Sequence, residues 1–313
     1  MLSLAAESWM LYGIACVVLI CRYVSRWLQL GSVSRYQIED YIMISVFGFY
    51  TTLLVTMNIV VHYPTNLIQP KDVPNLTPEL VAARIYGSKI VVIVEQTMIM
   101  TIWGCKLSLL YFYHKLTFGL VQEWAVKIVA AYTCITWLLM EVLYFLVWCR
   151  PFTEYWAVPT DNIQCTAATH HLLTNFIFNV SSDLFIMCIP LPLLIRSKLP
   201  FAKKLMLCLL FSLGIFVILC AVLNKYNSFK HYNNAMWTYW YIRETSTAVY
   251  TANVPMCWAL VRRIFNLRAF NSPDRNGIAK LPETPNIDDV PATIGGGEFR
   301  KQTTTPQHIM SAE

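Results

Sequence analysis

Apolar residues gather into seven long runs, near Ser8–Trp27, Tyr41–Val61, Ile90–Tyr113, Ala125–Trp148, Leu172–Ile195, Leu205–Leu223 and Met236–Val261, parted by short polar connections. A helix crossing a bilayer needs roughly 20 mostly apolar residues, because it rises about 1.5 Å per residue through a hydrocarbon core about 30 Å thick. Each run meets that length. The second and sixth contain no charged residue, whereas the first is broken by Arg22 and Arg26, whose long stems are expected to snorkel to an interface. None of the runs shows the period-two alternation of barrel strands. The pattern predicts an all-α polytopic membrane protein, a bundle of seven transmembrane helices. Kinks are expected where Pro190 and Pro192 end the fifth run and where Pro255 interrupts the seventh.

Composition agrees, since 56% hydrophobic against 13% charged residues leaves too little polar surface for a soluble domain. Past Phe270 the character changes. Pro273, Pro282, Pro285, Pro291 and Pro306 alternate with Gly, Thr, Asp and Glu, and no hydrophobic period survives. Residues 1–270 are therefore read as the membrane domain and 271–313 as a disordered cytoplasmic tail, with phosphorylation at Ser272, Thr284 or Thr305 open. No metal-ligand cluster, Gly-rich nucleotide loop or nucleophile triad stands in the chain, so hydrolytic and phosphoryl chemistry have no footing. No nucleic-acid partner is expected; the lipid bilayer is the obligate one.

Loop charge sets the orientation. The connections after runs one, three and five, together with the start of the tail, hold most of the Lys and Arg, which places the N-terminus outside and the C-terminus in the cytoplasm. The short N-terminal stretch before the first run carries no basic leader, so that run reads as a retained signal anchor. Asn75-Leu76-Thr77 is a glycosylation sequon on the side read as external, followed by Pro78. Cys149 and Cys165 lie in the second outer loop, where they are read as a disulfide, or alternatively as two free thiols.

Ionisable groups at membrane depth are costly and usually face a bundle's interior. On the fifth run Asn175, Asn179 and Asp183 recur every four residues, a single polar stripe on one helix face. The third run carries Glu95 and Lys106, the fourth Glu141, and the seventh Arg243 and Glu244. One reading is a ligand cavity open toward the outer half and lined by Glu95, Glu141, Asn175, Asn179, Asp183 and Glu244. The other is a packing network in which Lys106 or Arg243 neutralises Asp183 or Glu244. Trp237, Tyr239, Trp240 and Tyr241 are read as an interfacial aromatic belt, and His62 as an interface residue.

Arg22, Val24 and Arg26, then Glu39-Asp40-Tyr41, His62, Lys106-Leu107-Ser108 with Phe112-Tyr113, Cys149-Arg150-Pro151 with Trp156 and Cys165, Asn179 with Asp183, Pro190-Leu191-Pro192, Lys203-Lys204, Gly214, Glu244 and Pro255 follow one another in an order that resembles the fungal rhodopsin-domain family. The chain is similar in this to the Pth-type receptor-like seven-helix proteins, a group that includes satratoxin-cluster membrane proteins. The resemblance implies a fungal seven-helix protein that senses a small ligand, with a link to a secondary-metabolite (mycotoxin) cluster open. It departs at Glu39, where the family often has Asp, and at Asn224-Lys225, where it often has Arg. A retinal protein needs a Schiff-base lysine in the last span, and Met236–Val261 holds none, so no cofactor is expected.

Three functions compete. The first is a receptor-like sensor in the plasma membrane or an endomembrane, in which a small apolar ligand shifts the last three spans and a cytoplasmic signalling partner reads the change. The second is a membrane-embedded cyclase or isomerase of secondary metabolism, with Asp183 and Glu244 as candidate acids. The third is a transporter, although the spans show no internal repeat of the kind transporters commonly carry.

Overall fold

The computed structural model describes residues 3–32, 36–68, 73–74, 76–119, 121–160, 162–166, 168–191, 201–230 and 236–264. Asn75, Pro192 and the whole stretch read as a tail lie outside them. Among the described residues every regular element is helical. Seven helices have twenty residues or more: α1 (Leu4–Leu30), α2 (Ile38–Val60), α3 (Pro78–Leu116), α4 (Gln122–Leu143), α5 (Thr169–Cys188), α6 (Phe201–Lys230) and α7 (Met236–Ile264). Four of them, α1 to α4, are by length and composition apolar enough to cross a membrane.

Local chemistry sets several ends. Ser3 caps α1 by accepting from the Ala6 N–H, and Gly31 closes it in the left-handed region at φ 69°, a conformation glycine adopts at little cost. Asp40 helps cap α2 by accepting from the Gln37 N–H at 3.1 Å. Thr77 caps α3, with Pro78 in its first turn. At 39 residues α3 is about 58 Å long, nearly twice the hydrocarbon thickness, so its ends must project beyond the apolar layer.

The core is built around α3, whose Val94, Met98, Ile99, Ile102 and Trp103 are buried against Met43, Leu53 and Met57 of α2 and Val249 of α7. The outward faces are apolar too. Val17 and Ile20 of α1 and Ile128 and Ile135 of α4 are 60–66% exposed, a surface suited to lipid rather than water.

Arg22 and Arg26 correct the snorkelling expectation. Arg22 is 0% and Arg26 7% exposed, and both turn inward onto the start of α2. Arg22 lies 3.2 Å from Asp40, while Arg26 lies 2.9 Å from Glu39 and 3.1 Å from Asp40. Arg22 also donates to the Ala252 carbonyl and to Asn253 Oδ1 on α7, and Ser25 donates to the Met256 carbonyl at 2.7 Å. Both carbonyls flank Pro255, and α7 continues through that proline. Neighbouring polar side chains are what let a proline stand inside a membrane helix.

Candidate functional site

The polar stripe on α5 meets α3 through one lysine. Lys106 is 4% exposed, and its Nζ donates to the Asn179 carbonyl at 2.7 Å, to Asn179 Oδ1 at 2.6 Å and to Ser182 Oγ at 2.7 Å. The same nitrogen is 3.0 Å from Asp183 Oδ1 and stands over the Trp103 ring, 5.4 Å from its centre. Spacing of three and four residues puts Asn179, Ser182 and Asp183 on one face, so a single ammonium reaches all three.

Asn179 carries the network onward. Its Nδ2 donates to Glu244 Oε1 of α7 at 2.7 Å, and Asn224 of α6 donates to Glu244 Oε2. Four helices are thereby joined through two carboxylates, two amides and one ammonium. Below Glu244 a cavity offers about 40 Å³ to the centres of water-sized molecules, lined among others by Lys106, Asp183, Glu244, Thr251 and Tyr113. At about 10–15 Å³ per water, that is room for a few waters.

A second cluster surrounds Glu95, eleven residues before Lys106 and so about 16 Å away along α3. Glu95 Oε2 is 3.2 Å from His171 Nε2, and Tyr241 donates to Glu95 Oε1 at 2.8 Å. The His171 ring packs edge-on against Tyr144 and Trp148.

The structure thus divides the residues singled out in the sequence. Asn179, Asp183 and Glu244 line the cavity with Lys106. Glu95 belongs to the other cluster. Asn175 is buried one turn from Asn179 but does not line the cavity. Glu141 is half-buried, with Oε1 unpartnered. Along α3 this cavity is lined from Ile102 to Tyr113, toward that helix's C-terminal end. Lys106 does pair with Asp183, but Arg243 does not neutralise Glu244: it points away to Glu7 of α1, 2.5 Å from Oε1.

Two members of the site were missed. Tyr241 was assigned to an interfacial belt, yet it is 1% exposed and holds Glu95. His171 stands four residues before Asn175, so the α5 stripe begins one turn earlier than the asparagines suggest. Extending the four-residue spacing backward finds it.

The α4–α5 connection is tied over this cluster. Cys149 and Cys165 are joined by a disulfide. Tyr155 donates to the Tyr144 carbonyl at 2.9 Å, and Asn66 Nδ2 donates to the carbonyls of Tyr155 and Cys165. Burial, and secondarily the Glu95 carboxylate, holds the Tyr155 hydroxyl above the ordinary tyrosine range, so it stays a donor at neutral pH.

A family model described as the fungal rhodopsin domain matches residues 21–263. The chain belongs to that family. Together with helices long and apolar enough to span, this makes it a multi-pass membrane protein. No match is found among curated proteins or among solved structures. The matched segment of this fungal rhodopsin-domain protein contains both polar clusters and the Arg22–Asp40 pair. Retinal, which the family's name suggests, would need a Schiff-base lysine in the last span, and Met236–Ile264 contains none.

Proposed function

We propose that this is a receptor-like protein of seven spans, with its N-terminus outside and its C-terminus cytoplasmic, that senses a small apolar ligand. The observation that carries the reading is the Lys106–Asn179–Glu244–Asn224 network. It ties α3, α5, α6 and α7 through a few hydrogen bonds beside a cavity, so a ligand that seats there and displaces one of those bonds changes how four helices are held. A ligand shifts an equilibrium only by its differential contacts with two arrangements, and a shared polar node supplies such contacts. The charge asymmetry of the loops, the sequon at Asn75 and the Cys149–Cys165 bridge in an oxidising space support the orientation. The cytoplasmic partner would meet the basic connection between α5 and α6.

The enzyme reading has less support. Asp183 is held by an ammonium, and both oxygens of Glu244 accept amide N–H groups. Glu244 is left with no unengaged oxygen, and Asp183 keeps only Oδ2 free beside its ammonium partner. A role in a secondary-metabolite cluster rests on family likeness alone.

The deciding experiment is deletion of the gene with metabolite and transcript profiling, complemented by the native protein and by Asp183→Asn with Glu244→Gln. Loss of a response to an added extracellular compound, without a convertible intermediate, supports sensing. An intermediate that accumulates and is consumed by membranes carrying native but not variant protein overturns sensing in favour of the enzyme.

A further inference from the structure

The two polar clusters nearly meet, and what stands between them is a lysine without a hydrogen-bond partner. Lys225 is 3% exposed. Its Nζ finds no hydrogen-bond acceptor and lies 5.2 Å from the centre of the Tyr241 ring. Its charge acts on both Glu95 and Glu244. Tyr241 and Glu244 are three residues apart on α7, about 4.5 Å along the axis and on adjoining faces. Lys225 therefore occupies the gap between the Glu95 cluster and the Glu244 cluster. An ammonium with three unfilled donors in a buried site is costly, and water is what ordinarily fills them.

Two further buried polar atoms lack partners along the same line: His171 Nδ1 at one end and Asp183 Oδ2 at the cavity. Direct contacts run from His171 to Glu95 and Tyr241 on one side, and from Glu244 through Asn179 to Lys106 and Asp183 on the other. Lys225 stands in the break between them, where no direct hydrogen bond crosses and water must. The cavity extends from there to Tyr113. Glu95 to Tyr113 is eighteen residues of α3, about 27 Å, close to the full hydrocarbon thickness.

We propose that this column, hydrated at Lys225 and in the cavity beside Asp183, is a proton path across the membrane domain. Protons pass by exchange between water and the carboxylate, imidazole and phenol groups. Each step breaks one O–H or N–H bond and forms another, so no further reactant is needed. The charges that face the path are Glu95, Glu244 and Asp183 against Lys225, Lys106 and, when protonated, His171. Lys106 would repel a passing proton if it stood alone, but Asp183 lies 3.0 Å from it and offsets its field. The half-buried Glu141 and the neutral Tyr144 and Tyr155 flank the outer end. The inference is independent of the receptor reading, because it needs no ligand.

The test is proton flux into liposomes carrying the full-length purified protein, a trapped pH-sensitive dye, and a potassium diffusion potential of either sign set with valinomycin. The native protein is expected to move protons several-fold faster than protein-free vesicles. Glu95→Gln and Lys225→Met are expected to return the rate to background, while Glu7→Gln, outside the column, conducts as the native protein does. Only variants that elute as single species are compared; Tyr241→Phe, which removes one hydroxyl, serves if Lys225→Met does not. Native flux at background under both signs of potential overturns the proposal, as do column variants that conduct like the native protein. A failed flux assay leaves ligand responses in cells intact, so the two readings fail separately.

Discussion

Lys106 Nζ lies 3.0 Å from Asp183 Oδ1 and at the same time donates to the carbonyl of Asn179, one turn earlier on α5. An ammonium buried this deeply is stable only because a carboxylate, a carbonyl, an amide oxygen and a hydroxyl all turn toward it. The pair is therefore the point at which α3 and α5 are locked in register.

Removing one partner of a buried pair costs more than removing both, because the survivor is left as an unpaired charge. Lys106→Met is expected to lower stability by about 3–5 kcal/mol. Lys106→Met with Asp183→Leu should recover part of that loss. Thermal melting of the purified variants in detergent checks the order, and a double variant no better than the single one would contradict it.

Around the start of α2 the same logic separates two cations on one acidic cluster. Arg22 is 0% exposed, whereas the Lys115 side chain that reaches Glu39 at 2.7 Å is 34% exposed. Arg22→Leu should abolish most of the folded yield. Lys115→Met, losing a half-solvated pair worth about 0–1 kcal/mol, should be nearly silent by fluorescence-detected size exclusion.

The bridge between Cys149 and Cys165 closes a loop with a sequence separation of 16, which on a chain-entropy account stabilises by about 3 kcal/mol. Reductant should lower the melting temperature of the native protein. It should leave the Cys149→Ser and Cys165→Ser double variant unmoved, since that protein begins without the bond.

At Gly87 a Cβ would run into the carbonyl oxygen of Pro64, a backbone atom that cannot swing aside. Gly87→Ala should destabilise by about 1–3 kcal/mol through overpacking. Gly48→Ala, where a Cβ meets nothing within 4 Å, should be neutral or slightly stabilising in its helix. The two melting curves, run side by side, decide the matter.

Much of the architecture was legible because lipid imposes one rule on every apolar run: the backbone must satisfy itself, and a helix does so within the segment. The α5 stripe was legible for a similar reason, since a four-residue spacing fixes a face whatever the helix packs against. The family was legible because its residues keep their order through the matched segment. What failed were statements about reach. Arg22 and Arg26 were given to the interface because nothing in the first run shows that Glu39 and Asp40 fold back onto it. Tyr241 was given to a belt because its neighbours Trp237, Tyr239 and Trp240 are aromatic.

The sequence by itself determined that this chain forms helices for a membrane, and which polar residues those helices would have to hide. Only the tertiary structure decided the partners: Lys106 with Asp183, Asn179 with Glu244, His171 and Tyr241 with Glu95, and Arg243 with Glu7 rather than Glu244. Apolar periodicity is a local property, set within a few turns. Those pairs join residues 65 to 236 positions apart, so each depends on helix order, rotation and depth, which local periodicity does not encode.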